Sequence, residues 1–389
     1  MKKIFTLFLI CFLWGTAKLS AQSTFSFTTT GTDSIIDSAI TFTGRIWGQY
    51  LNSAVPIRVH VYYANLFGTT LAITIPNGKR DFPSAPLDSI WYPSSLANAM
   101  EGSAITPGED DMDIFFDNTN PWYFGTDGIC PGGKYDFVST LLHEIGHGLG
   151  FLSLAKMDND SVGSFGHITS TDLAPLITTF PFPNLQGKCS IFSHYMENTS
   201  GQSIVDTVMF PNPSVVLGHQ FHSNGVWFNG PLAVLQNGGN RVRIYAPATY
   251  QKGSSMEHLN EATFPANNPN TLMTPFESAA EVHHMPGPLT IAILEDIGWN
   301  VNHDVGFENM VSDLRMEIFP NPVQTSAMIR LDQSVQNEKM EVIDLYGQVV
   351  MSTNISAEKG AYTSIDFSQL STGLYIVRVK DGLFKLIKN

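Results

Sequence analysis

The apolar positions change period several times in the first 150 residues. Between positions 33 and 51, Ile35, Ile36, Ile40, Phe42, Ile46 and Trp47 recur at near-helical spacing. This spacing predicts a long amphipathic helix with Thr32 or Asp33 as its cap. The Ser/Thr-rich stretch before it, 22–32, is expected to be extended. After Pro56, Ile57, Val59 and Val61 alternate with Arg58, His60 and Tyr62, the period of a half-buried strand. A second helix is expected after Pro93, through Leu96 and Met100. A short strand at 113–117 then enters an Asn/Pro/Gly-rich loop at 118–133.

The next element has the clearest pattern. Val138, Leu141, Leu142, Ile145 and Leu149 define one apolar helix face, and Asp136 is placed to cap it. At about 100° per residue, His143 and His147 fall on the other side. Residues 156–250 are rich in Gly, Pro and Asn and read as irregular, with a few strands such as 241–245. A last amphipathic helix is expected at about 289–297, ended by Gly298. From Arg315 the character changes to short strands at 328–331, 340–345, 349–353, 362–366 and 374–380. They are separated by the turn signals Asn321-Pro322, Tyr346-Gly347 and Asp381-Gly382. That spacing predicts a small all-β sandwich.

The sequence therefore divides into an expected signal peptide (1–21), a mixed α/β domain (22–302), a linker (303–314) and a C-terminal β module (315–389). The signal reading rests on Lys2 and Lys3, a short apolar run at 4–14, and small residues ending at Ala21. That run is too short to span a bilayer, so no integral membrane segment is expected once the signal is removed. The 389 residues are 43% hydrophobic and 14% charged, which suits domains with cores and excludes a disordered chain. The net charge of −14 gives no electrostatic reason to bind nucleic acid or anionic lipid. Cys130 and Cys189 remain after the signal, and in an exported chain a disulfide between them is expected as one of two outcomes, free thiols being the other.

His143-Glu144-Ile145-Gly146-His147 is H-E-x-x-H. Residues four apart on a helix are neighbours, so two imidazoles can reach one Zn²⁺. Glu144, beside the first ligand, is placed as general base and then acid towards a zinc-activated water. Gly146 costs ~1 kcal/mol relative to Ala inside a helix, which points to a close neighbour. The acidic residues Glu109, Asp110, Asp111 and Asp113, and the pair Asp158 and Asp160, read as solvated loops or as places for Ca²⁺.

His143 to Gly150 resembles the first part of the metzincin signature, H-E-x-x-H-x-x-G-x-x-H. Ser153 stands where the short signature has its third histidine. In this the chain is closer to leishmanolysin-like metallopeptidases, in which a long insertion separates that glycine from the third ligand. The resemblance implies that His258 is the third ligand and Met273 the methionine of the Met-turn, with Thr274 and Pro275 following. It implies an α+β metzincin-like catalytic domain, a twisted sheet plus an active-site helix. The rivals of His258 are His167, His194, His219, His222, His283 and His284, of which the last two read as a solvated pair.

At the end of the chain, Phe319-Pro320-Asn321-Pro322, Leu345-Tyr346-Gly347, Gly373-Leu374-Tyr375-Ile376-Val377 and Lys385-Leu386-Ile387-Lys388 occur in order. This set resembles the type A C-terminal sorting domain of the Bacteroidetes type IX secretion system. It implies the secretion machinery as a partner and release or surface attachment as the outcome. The expectation is a secreted zinc endopeptidase acting on protein or peptide. The alternative is a non-enzymatic surface adhesin that retains a structural zinc.

Overall fold

A computed structural model describes residues 22–66, 70–173, 185–302, 314, 316–344, 348–380 and 382–389. The expected signal peptide, nearly all of the expected linker, Arg315, Leu345-Tyr346-Gly347 and Asp381 lie outside the described residues.

The central sheet has four strands, in the order Phe25–Thr30, Ile57–Ala64, Met112–Asp117 and Ala72–Pro76. The first three are parallel, and Ala72–Pro76 is antiparallel at the edge. The alternation read after Pro56 sets the two faces. Val59, Val61, Ile114 and Phe116 point into the main core, where they join the helix residues Ile40, Trp47, Leu141, Leu142 and Ile145. On the opposite face Phe115 and Ile75 pack with Leu152 and Leu154, with Tyr62 and Ile73 beside them.

The first helix, Ser34–Tyr50, starts as its pattern predicts. Asp33 accepts from the backbone N–H groups of Ile35 and Ile36 at 2.9 and 3.0 Å. Its Trp47 indole donates to the carbonyl of Leu142 at 3.1 Å, tying this helix to the helix Phe137–Gly148. The helix after Pro93 spans Ser94–Glu101, and the last helix spans Pro288–Asp296. Between 155 and 245 the chain has more order than its Gly/Pro/Asn content suggests. A hairpin joins Ala155–Asp158 to Val162–Phe165, and Met196–Asn198, Val226–Phe228 and Val242–Arg243 form a small sheet. The strand expected over 241–245 is only Val242–Arg243, and Ile244 instead bridges to Leu259.

The C-terminal residues form two antiparallel sheets. One orders Met316–Phe319, Ser326–Leu331 and Tyr362–Asp366; the other orders Val349–Ala357, Val335–Ile343, Gly373–Val379 and Gly382–Lys388. Ala327, Ile329 and Leu331 of the first share one core with Met340, Val342, Val377, Val379 and Leu386 of the second. Two sheets facing across a common apolar layer make a sandwich. Its strands run longer than expected at 335–343 and 349–357, because β-bulges let the pairing continue past interruptions in the apolar pattern. Among the described residues no helix is long and apolar enough to cross a membrane.

Candidate metal centre

Three segments converge on the motif. The first is the helix Phe137–Gly148, capped by Asp136, whose side chain accepts from Ser139 N–H at 2.8 Å. All five residues of its apolar face are fully buried. Its last carbonyls are also satisfied: Ser95 donates to Gly148 and the Trp299 indole to Leu149. Gly150 then turns the chain out of the helix at φ +123°, with the Ile297 side chain packed close against it. The second segment carries His258, whose carbonyl accepts from Tyr245 N–H at 2.8 Å. The third is the tight turn Thr271–Met273.

That turn lies directly under the motif. A Cβ at Gly146 would sit 2.6 Å from Met273 Sδ, so any side chain there would force the Met273 thioether to move. The Leu272 carbonyl is 2.6 Å from His143 Nδ1, and the Met273 carbonyl accepts from Leu259 N–H at 2.8 Å. One turn therefore orients the first histidine and anchors the residue after His258.

The imidazoles of His143, His147 and His258 meet through their Nε2 atoms, 3.0, 3.2 and 3.2 Å apart. Each Nδ1 faces a backbone carbonyl, of Leu272, Phe151 and Ser254 respectively, at 2.6, 2.7 and 2.8 Å. A carbonyl only accepts, so each Nδ1 carries the proton and each Nε2 presents a lone pair. Burial lowers all three imidazoles, His143 to about 4, His147 to about 3 and His258 well below its usual value, so they are neutral near pH 7. Three lone pairs facing one another repel unless a cation lies between them. A tetrahedral ion with Zn–N near 2.0–2.1 Å holds its donors about 3.3 Å apart. The donor set and spacing fit zinc, and the backbone carbonyls supply the outer contacts such ligands use. Among the described residues no fourth side chain joins this group.

Glu144 lies beside the cluster. Burial pushes its carboxyl up to about 7, against the opposing pull of Thr74. The Thr74 hydroxyl, on the edge strand Ala72–Pro76, is 2.6 Å from Glu144 Oε2 and 2.9 Å from the Glu144 carbonyl. Neither that strand nor Thr74 has a marked signal in the sequence, since Ala72 to Pro76 is too short to show a period. Ser153, at the position of the short signature's third histidine, serves differently, with its hydroxyl 3.3 Å from Glu257 Oε1, beside His258. Glu277, four residues past Met273, is a further group the pattern does not reveal. Its Oε2 accepts from Thr140 at 2.6 Å, and burial pushes its carboxyl up to about 8, with Asp136, Glu281 and Glu144 adding to the effect.

Among the described residues, the other histidines stay out of the cluster. His283 and His284 are not a solvated pair: they are half-buried, 2.8 Å from Glu281 and Asp136 respectively. The rings of His219 and His222 lie 5.6 Å apart beside each other. Of the two outcomes left open for Cys130 and Cys189, the structure has the free thiols. Cys130 turns to the Lys134 carbonyl at 3.3 Å, while Cys189 is held beside Trp91, where burial pushes its thiol up to about 11. Each residue is fixed by a different element, and no shared contact brings the sulfurs together. Asp111 is not free for calcium either: its carboxylate accepts from Arg58 N–H and Asn98 Nδ2. Asp158 pairs with Lys156 at 3.2 Å.

Residues 317–389 match the family model described as the secretion system C-terminal sorting domain. No curated protein and no solved structure matches the chain. The sorting domain marks the chain for export by type IX secretion, to the cell surface or the medium, and makes that secretion machinery its partner.

Proposed function

We propose that this exported chain is a zinc-dependent endopeptidase with a metzincin-like catalytic domain, in which His143, His147 and His258 hold the ion and Glu144 moves the proton. The observation that carries the reading is the convergence of three Nε2 lone pairs next to a buried carboxylate. Bound zinc would supply Lewis acidity, polarising a carbonyl and lowering the pKa of water. Glu144 takes a proton from the attacking water as its oxygen adds to the peptide carbonyl carbon. It then gives that proton to the nitrogen as the C–N bond breaks. Thr74 holds the carboxylate by a hydrogen bond to Oε2, and that bond favours the ionised form that a base needs.

A peptide substrate is favoured by the strand that carries Thr74. Among the described residues, Ala72–Pro76, whose Thr74 bonds Glu144, pairs only with Met112–Asp117, and no other strand occupies its outer edge. An extended peptide could add there by main-chain hydrogen bonds. A structural zinc in an adhesin is disfavoured by the ligand count, because structural sites close with four protein ligands. The test is Glu144→Gln. It is expected to keep its bound zinc and to lose about 10²–10⁴ in the rate of hydrolysis of a casein-type substrate. Wild-type turnover by this variant, or full activity of the wild type after exhaustive chelation, would refute the reading.

A further inference from the structure

A second group of metal-ligating side chains lies on the central sheet, apart from the histidine centre. His60 and Asp113 are direct register partners on the parallel strands Ile57–Ala64 and Met112–Asp117. They project from the face opposite Val59, Val61 and Ile114, and Asp110 reaches them from the segment that enters the second strand. One ligand atom from each of the three lies within 4.8 Å of the others.

Several features hold these groups in place. The His60 ring stacks on Tyr62 at 4.0 Å, and Tyr62 stacks on Phe115 at 4.6 Å. His60 Nε2 is 2.9 Å from the Thr30 hydroxyl of the neighbouring strand, which leaves Nδ1 facing the acids. Asp111 is turned inward and bonded to Arg58 N–H and Asn98, so the backbone of 110–113 is pinned with Asp110 and Asp113 on the outer side. The acids are not consumed by direct bonding to the histidine. Asp110 Oδ2 is 3.7 Å from His60 Nδ1, too far for a hydrogen bond. The Asp113 carboxyl is raised by partial burial, and Asp110 adds to the effect. Two carboxylates and an imidazole thus gather with one ligand atom from each within 4.8 Å of the others.

We propose that His60, Asp110 and Asp113 form a second metal site that takes a divalent transition ion. Imidazole with two carboxylates suits zinc or manganese, whereas calcium takes an all-oxygen set. This differs from the calcium reading of the acidic run, since His60 enters and Asp111 leaves. Bound there, an ion would clamp the two central strands and the segment entering Met112–Asp117. The site is separate from the histidine centre, so hydrolysis does not depend on it directly.

The test uses the mature full-length protein, stripped with chelator and dialysed against Zn²⁺, with bound metal counted by mass spectrometry. The wild type is expected to bind two equivalents. Asp113→Asn, which keeps the side-chain shape, and His60→Gln should each bind one equivalent and keep wild-type peptide hydrolysis. The triple variant H143A/H147A/H258A should also bind one equivalent, and adding Asp113→Asn to it should leave none. Two equivalents in both Asp113→Asn and His60→Gln would overturn the site, as would a wild type with one equivalent that the triple variant loses. If instead the triple variant binds as much zinc as the wild type, the histidine-centre reading fails while the His60 site stands or falls on its own two variants.

Discussion

Residues 22–302 and the C-terminal sandwich treat buried polar groups in opposite ways. Among the described residues, the first region buries Glu144, His147 and His258 together, with Glu257 beside them. Their ionisation is perturbed mainly by loss of water: the acids are raised and the imidazoles lowered. The sandwich buries Glu341, whose carboxyl is pulled below its usual range by Lys339 and Arg378 despite burial. An acid matched by cations stabilises a fold, whereas desolvated groups gathered in one place are kept for chemistry and cost stability. The contrast is consistent with the catalytic role proposed for the first region and with the export role of the second.

The largest expected effect removes the centre on which this contrast rests. His258→Ala should lose most of the zinc held at the histidine centre and at least about 10³ in hydrolysis rate, taking the loss of a stabilising group at a reacting centre as the guide. His283→Ala should leave both within about two-fold, since mutations away from the centre are usually small. Metal analysis and casein-type assays on the purified variants decide between them. Full zinc retention in His258→Ala would move the centre elsewhere and dissolve the contrast.

The second experiment separates the regions. A chain ending before Arg315 should fold and hydrolyse peptide within about two-fold of the full-length rate, because each region has its own core. The same truncation should abolish appearance at the cell surface or in the medium, since the export domain spans 317–389. Loss of activity in the purified truncated protein would make the sandwich part of the catalytic unit.

The third probes packing beneath the centre. Gly146→Ala places a Cβ against Met273 Sδ, and overpacking of this kind costs about 1–3 kcal/mol. Thermal unfolding should shift down and zinc affinity should fall with it, because Met273 sits in the turn that orients His143. An unchanged midpoint would show that the turn can give way freely. The smallest effect belongs to the sandwich. Glu341→Gln should lower its stability by about 1 kcal/mol or less, the usual value of a partly exposed ion pair, with no change in hydrolysis. A loss of activity there would erase the division between the regions.

Much of the architecture was legible because local periodicity reports burial directly. The helix caps at Asp33 and Asp136, the alternating strand after Pro56, the helix after Pro93 and the short-strand character after Arg315 all follow from it. Within the centre, the i, i+4 spacing alone puts His143 and His147 on one side of a helix. Gly146 showed that something had to lie close to that helix, but not that it was Met273. The strand Ala72–Pro76 went unseen, and with it Thr74, because five residues at a sheet edge carry too little pattern.

By itself, the sequence determined the long helices, the strand after Pro56, the pair of histidines with the acid between them, and the export module, since each is encoded within a few turns or strands of contiguous chain. Tertiary structure alone decided the rest. It brought His258, 111 positions further along the chain, to 3.2 Å from His147, set Thr74 against Glu144, and left Cys130 and Cys189 apart. It also put His60 and Asp113 side by side through strand register. Those relations depend on long-range packing and on which strand pairs with which, and no local period in the chain records either.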